Sequence, residues 1–325
     1  MKKYRILAYY SVNRLEDPRA EVARHQEFFR ERDFKGRIYI SEQGINGQAS
    51  ASAEHAEEYM AWMRKDPRFQ GISFKLHEAS EHVFPKMTVK YREQLVAIDC
   101  EVDFGLRGEP VSPEQWKKML EERGDETVVL DVRNDYEWKI GHFEGSELPP
   151  LETFREFPDY AKKLKEARDP KETVVMMYCT GGIRCEFYSA LMKKEGFEKV
   201  YQLDGGVIQY GLDKGSEHWK GKLFVFDDRL AVPLGKEEPA PISHCTHCGK
   251  PNDIYYNCAN MDCNDLFLCC LDCLKAHRGC CSEECLKEDR IRPYQECAKP
   301  FRKWDHQEKT AWKKESSRDG SALQN

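Results

Sequence analysis

The chain of 325 residues has no apolar run approaching the roughly 18 residues of a membrane span. Its first apolar stretch, Ile6-Leu7-Ala8-Tyr9-Tyr10, is too short for a secretory signal, and no small-residue cleavage site follows. A cytoplasmic location with no membrane partner is therefore expected. Basic charge is not in excess either: 51 Lys and Arg stand against 57 Asp and Glu, a net charge of −6. The overall charge thus gives no reason to expect nucleic acid, although a local basic patch would suffice to bind phosphate. No dinucleotide glycine fingerprint points to flavin or nicotinamide, and no two-His-one-carboxylate spacing points to iron.

Against these absences stands one rich stretch, Tyr178-Cys179-Thr180-Gly181-Gly182-Ile183-Arg184-Cys185-Glu186. The apolar run Thr173–Tyr178 before it reads as a buried strand, and Glu186 to Lys194 reads as a helix with Phe187, Ala190 and Leu191 on one face. Between them lies a tight loop that opens with Cys179 and closes with Arg184. Gly181 and Gly182 permit the backbone angles that let N–H groups converge on the loop centre. Those groups, the helix N-terminus and the Arg184 guanidinium would stabilise a thiolate at Cys179, or a negative group attached to it. The expectation is a nucleophilic or persulfide-carrying cysteine; the alternative is a buried structural cysteine beside a helix turn. Cys185 could resolve an oxidised Cys179 through a disulfide, or simply pack the helix on the sheet.

A length of 325 residues suggests two or three domains. Residues 1–100 read as β-α-β-β-α-β, a ferredoxin-like α+β domain. Its strands are expected at Tyr4–Ser11, Gly36–Ser41, Gln48–Ser52, Phe74–Leu76 and Met87–Val96, with a turn at Gly44-Ile45-Asn46-Gly47. Asp17-Pro18 opens its first helix, and Glu54 to Lys65 forms the second. Such a module binds a partner or RNA, or only supports a neighbour. Over 108–220 strands and helices alternate, which implies a parallel sheet with ligands beyond the C-terminal ends of its strands. Here Ser112-Pro113 starts a helix, Thr127–Asp131 and Lys199–Leu203 are strands, Leu151 to Ala167 is helical, and Trp219–Phe226 is a further strand. Asp131 and Arg133 are expected to form an internal ion pair and His142 a structural hydrogen bond. Residues 305–325 are polar, without periodicity, and read as a disordered tail.

Ten of the 14 cysteines lie between Cys245 and Cys285. In a cytosolic chain this argues for metal rather than disulfides. They pair by spacing as Cys245 with Cys248, Cys258 with Cys263, Cys270 with Cys273, and Cys281 with Cys285. Four pairs suit two structural zinc sites within 240–298; one pairing joins the first with the third and the second with the fourth. Cys269, Cys280 and nearby histidines leave the partition open. The alternative is a reduced thiol-rich tail.

Asp131-Val132-Arg133, Glu137, Gly141-His142-Phe143-Glu144-Gly145, Cys179 to Arg184 and Leu203-Asp204-Gly205-Gly206 together resemble a rhodanese domain over about 112 to 215. Four residues separate Cys179 from Arg184. This matches the loop of sulfur-carrying rhodaneses and disfavours the related phosphatases, whose loop is one residue longer. Gly36–Ser41, Gly44–Gly47, the Cys179 loop and Gly221–Asp227 extend the resemblance, over about 4 to 290, to the bacterial tRNA uridine hydroxylase family. That resemblance implies oxygen-dependent hydroxylation of the wobble uridine at C5, molecular oxygen as co-substrate, the tRNA anticodon region as partner, and Cys179 as the catalytic residue, able to carry a persulfide. Phe187 departs from it: a Lys is expected there, so one positive charge is missing beside the loop. Arg184, Lys193, Lys194, Lys214, Trp219, Lys220 and Lys222 are candidates for RNA contact. Two other functions compete with this one. One is a sulfurtransferase served by a sulfur donor protein. The other is a zinc-binding adaptor with a scaffold rhodanese domain.

Overall fold

The computed structural model describes residues 4–293, in two compact units divided in sequence between Asp253 and Ile254. The tail expected at 305–325 lies outside the described residues. No helix among the described residues is long and apolar enough to cross a membrane.

The first unit begins with β1 (Tyr4–Val12), α1 (Pro18–Phe29), β2 (Phe34–Ser41), β3 (Gly44–Ser52), α2 (Ala53–Arg64), β4 (Phe74–Ala79) and β5 (Met87–Tyr91). The sheet order β4-β1-β3-β2-β5 is that of a ferredoxin-like sandwich, with β5 added parallel to β2 at the edge. Strand periodicity decides which face is covered. Leu7 and Tyr9, Ile38 and Ile40, and Ala49 and Ala51 pack against Phe28, Tyr59 and Met63 of the two helices. Asp17 starts α1 by accepting the Ala20 N–H, with Pro18 at the first position, and Ser52 starts α2 by accepting the His55 N–H. The turn expected at Gly44–Gly47 falls instead at Glu42-Gln43. Residues 44–47 pair with β2 on one side and β1 on the other, so the sheet ladders use their backbone groups. β5 ends at Tyr91, where exposed Arg92 and Glu93 break the alternation, rather than at Val96.

Next come β6 (Glu109–Val111), α3 (Pro113–Glu122), β7 (Thr127–Asp131), α4 (Asp135–Trp138), β8 (Gly141–Phe143), α5 (Phe157–Ala167), β9 (Val174–Tyr178), α6 (Ile183–Lys194), β10 (Lys199–Leu203) and α7 (Gly206–Lys214). β6-β10-β9-β7 form a parallel sheet. Val175 and Met177 of β9 face Phe157, Leu164, Phe187 and Leu191 on one side; Met176 and Tyr178 face Trp116, Leu120, Val207 and Tyr210 on the other. A capping box at Ser112 and Gln115 starts α3. α5 starts at Phe157 rather than Leu151, because Pro158 sets its first turn and a 3-10 turn at Phe154–Glu156 precedes it.

The chain then forms β11 (Trp219–Gly221), β12 (Leu223–Phe224) and β13 (Ala231–Val232). The single strand expected over Trp219–Phe226 is broken: β11 pairs with β8 and β12 with β13, and the Lys222 N–H between them donates to the Ile140 carbonyl. The second unit holds the hairpin β14 (Tyr255–Asn257) and β15 (Leu266–Leu268), followed by the short helix α8 (Leu271–Ala276).

The helix-free face of the N-terminal sheet positions the site. Ala8 joins the core cluster that contains Val111, Leu203 and Ile208, while Tyr10 and Val12 pack on the cluster of Ile183 and Cys185. That face therefore lies over the C-terminal end of the parallel sheet.

Candidate active site

Cys179 follows β9 directly, and α6 starts at Ile183, earlier than the expected Glu186. The loop proper is Thr180-Gly181-Gly182, and Arg184 sits in the first helical turn. Gly182 has φ 101°, which L side chains rarely adopt, and this turns its N–H back onto Cys179 Sγ at 3.1 Å. Gly181 has no positive φ, and a Cβ there would meet open space, so only one of the two glycines is conformationally required. From α7, Val207 and Ile208 donate N–H groups to the carbonyls of Cys179 and Thr180, both at 3.0 Å. A Cβ on Gly206 would stand 2.5 Å from the Cys179 carbonyl oxygen, so Gly206 allows this backbone-to-backbone clamp.

Cys179 is fully buried. Burial alone would raise its thiol pKa. The side-chain hydrogen bond from Cys185, the Arg184 guanidinium and the N–H groups of Cys185 and Gly182 outweigh it and hold the thiol down to about 5. Cys185 is pushed the other way, first by burial and then by the Cys179 thiolate to which it donates. It packs the helix on the sheet and also serves as a thiol donor.

Arg184 does not hydrogen-bond the sulfur. Its two terminal nitrogens grip Glu137 at 2.6 and 2.8 Å, and one reaches the Thr180 hydroxyl at 3.2 Å. Glu137 is fully buried in α4; burial opposes its charge, but Arg184 holds the carboxyl below the usual range. Arg184 therefore acts on Cys179 through its field, and Glu137 and Thr180 fix where that field originates. Sequence reasoning assigned Glu137 no role. The available signal was Asn134 with Glu137, a capping-box spacing at the start of α4. The expected Asp131–Arg133 pair is present, buried, at 2.6 Å. His142 Nδ1 lies 2.9 Å from the Trp138 carbonyl, a structural contact as expected.

Above the loop is a cavity of about 250 Å³. Its floor includes Thr180 and Arg184, and its roof is the helix-free sheet face. One cross-strand row there reads Lys75, Ala8, Gln48, Arg37; the next reads Tyr10, Asn46, Tyr39. Phe154 and Phe226 complete the wall and lie 4.8 and 5.9 Å from the Arg184 guanidinium.

The UPF0176 acylphosphatase like domain family matches residues 4–95, the rhodanese-like domain family residues 112–212, and the rhodanase C-terminal family residues 220–286. A tRNA uridine(34) hydroxylase of Chlamydia pneumoniae is 55% identical over 281 residues, 86% of each chain. That of Protochlamydia amoebophila is 56% identical over 276 residues, covering 85% of this chain and 86% of the relative. The chain belongs to the tRNA uridine(34) hydroxylase family.

The family's expected Lys position, Phe187, is fully buried and packs edge-on against Phe104, so it points into the core and not toward the loop. The RNA candidates fare differently from Arg184. None of Lys193, Lys194, Lys214, Trp219, Lys220 and Lys222 lines the cavity. Lys214 pairs with Glu114, Lys220 with Glu144 and Lys222 with Asp253, and Trp219 is buried. The cations that face the cavity besides Arg184, namely Arg37 and Lys75, lie more than a hundred residues before the loop in sequence, where spacing gives no signal.

In the second unit, Cys258, Cys263, Cys281 and Cys285 converge, their sulfurs all within 4.8 Å of one another. Cys263 to Cys281 is 3.7 Å and Cys281 to Cys285 is 3.8 Å. A tetrahedral zinc with Zn–S near 2.3 Å requires sulfurs about 3.8 Å apart, so this donor set fits. The second and fourth pairs are thus joined, and Cys269 and Cys280 are left out of the quartet. Cys245 and Cys248 flank a turn of the first unit, where Gly249 donates its N–H to the Cys245 carbonyl. Cys270 stands at the first flanking position of α8 and Cys273 lies within that helix, both in the second unit.

Proposed function

We propose that Cys179 carries the reaction of this tRNA uridine(34) hydroxylase and that the wobble uridine, turned out of the anticodon, enters the cavity above it. The observation that carries this reading is a buried thiol, held down to about 5, at the start of a loop whose Thr180, Gly181 and Arg184 line a cavity roofed by amides, aromatic rings and cations. Enzymes that work on a base receive it unstacked, hydrogen-bond its edge and stack its face. Asn46 and Gln48 offer paired donors and acceptors for the uracil edge, and Tyr39 offers a ring. Arg37 offers a charge for a phosphate.

In this reading Cys179 is the nucleophile, or carries a persulfide. Arg184 stabilises its anion, and Thr180, Gly181, Gly182 and Ile183 shape the loop. Molecular oxygen is the co-substrate, C5 of the base is the site of hydroxylation, and the protein works in the cytoplasm where tRNA is. Three segments divide the work: 1–100 roofs the base, 108–220 supplies the thiolate, and 240–298 is built on structural zinc. Cys258, Cys263, Cys281 and Cys285 hold a zinc, and Cys245 with Cys248 and Cys270 with Cys273 are the remaining candidate ligand pairs.

The test is a nucleoside digest of tRNA from a strain whose only source of 5-hydroxyuridine is this protein. Cys179→Ala is expected to bring 5-hydroxyuridine and its derivatives to background. Unchanged levels would discard the assignment. A second reading, sulfur transfer from a donor protein through a Cys179 persulfide, is supported by the amide aimed at Sγ. It predicts a mass gain of one sulfur on Cys179 after incubation with thiosulfate, and thiocyanate once cyanide is added.

A further inference from the structure

We infer that Lys75 of the N-terminal sheet is a positioning residue for the Cys179 thiolate, acting through the single peptide unit that joins Gly181 to Gly182. Lys75 is 4% exposed, and its Nζ donates to the Gly181 carbonyl at 3.1 Å. The N–H of that same peptide unit is the Gly182 N–H, which donates to Cys179 Sγ at 3.1 Å. In a trans peptide the C=O and N–H point in opposite directions, so fixing one fixes the other. Lys75 therefore holds the far end of the group whose near end faces the sulfur, and its charge polarises the same amide in the sense that strengthens the N–H.

This arrangement is demanding. Gly182 stands at φ 101°, and nothing packs within 4 Å of where a Gly181 Cβ would be, so side-chain packing around Gly181 does not set the orientation of this peptide. Lys75 is held in turn: its Nζ lies 5.1 Å from the centre of the Tyr10 ring, and Tyr10 donates its hydroxyl to Glu186 at 3.2 Å. The ammonium pays desolvation by burial, and it does so next to Asp204, Cys179 and Glu186, the anions that favour its charge.

The charged and titratable groups around the sulfur come from every neighbouring element. α6 brings Arg184, Cys185, Glu186 and Tyr188; β1 brings Tyr10; β4 brings Lys75; and Glu137 of α4 acts behind Arg184. Among them Lys75 alone reaches the loop backbone from the N-terminal sheet by a hydrogen bond that also orients a donor to Sγ. The thiolate thus depends on the docking of a separate domain. The inference concerns the thiolate itself and stands whichever substrate Cys179 meets.

The test is site-resolved alkylation. The full chain is treated with iodoacetamide from pH 4 to pH 9, and the rate at Cys179 is followed by mass spectrometry of its peptide. Lys75→Met, near in shape but without charge or donor, is expected to raise the pH midpoint by about one unit. Lys75→Arg, which keeps both, should restore it. A lysine that merely fills space would leave the midpoint where it is. A wild-type midpoint in a folded Lys75→Met protein overturns the inference. Should that variant fail to fold, Lys75→Leu, which also lacks both charge and donor, carries the test: a raised midpoint supports the assignment and an unchanged one overturns it.

Discussion

Cys179 and the quartet of Cys258, Cys263, Cys281 and Cys285 use one functional group in opposite ways. At Cys179 a single sulfur is held as the anion, and the protein surrounds it with two amides, a neighbouring thiol and a guanidinium at a distance. In the quartet four sulfurs crowd within 4.8 Å. A lone thiolate can be held by hydrogen bonds, because each donor adds to the stabilisation of one charge. Four thiolates at these distances repel one another and call for a cation at their centre. The number of sulfurs brought together, more than the burial of any one, separates a lone stabilised thiolate from a set of metal donors.

Removing the metal is expected to separate the two kinds of cysteine most sharply. Chelation, or Cys263→Ser together with Cys281→Ser, is expected to unfold the second unit, removing stabilisation on the order of 10 kcal/mol. Metal release and circular dichroism would follow it. The alkylation midpoint of Cys179 should remain near 5, since its determinants lie in the first unit. A chain that keeps its circular dichroism without metal would break the contrast.

A smaller effect is expected at Glu137. Glu137→Ala leaves the buried Arg184 unpaired, a loss of about 3–5 kcal/mol measurable by chemical denaturation. The acid dependence has a definite sign. Glu137 titrates below the usual range in the folded protein, so its stabilisation is present above the unfolded carboxylate pKa and is lost as pH falls through the lowered one. The stability of the variant should therefore fall less on acidification than that of the parent.

The finest distinction concerns Cys185. Cys185→Ala removes a thiol donor and should move the Cys179 midpoint upward from about 5, whereas Cys185→Ser keeps a donor and should hold it lower. Equal midpoints in the two variants would reduce Cys185 to packing.

The sequence by itself determined what depends on neighbours along the chain. β9, the loop and α6 follow from an apolar run, two glycines and a helical stretch. Asp17 and Ser112 mark helix starts because a cap needs only a side chain a few residues from an N–H. The joining of Cys258 and Cys263 with Cys281 and Cys285 was among the pairings that spacing allowed. Local reasoning failed where partners change. The residues around Gly44 look like a turn in isolation and become a strand because β1 and β2 flank them.

The tertiary structure alone decided what the loop faces. Glu137 precedes Arg184 by 47 residues, and Lys75 precedes Gly181 by 106. Neither separation leaves a periodic trace. Along β1 the alternation marks two faces, but only docking assigns one to the helices and the other to the roof over Cys179. A charge or hydrogen bond acts across space, and folding alone brings Lys75 to the peptide that points at the sulfur.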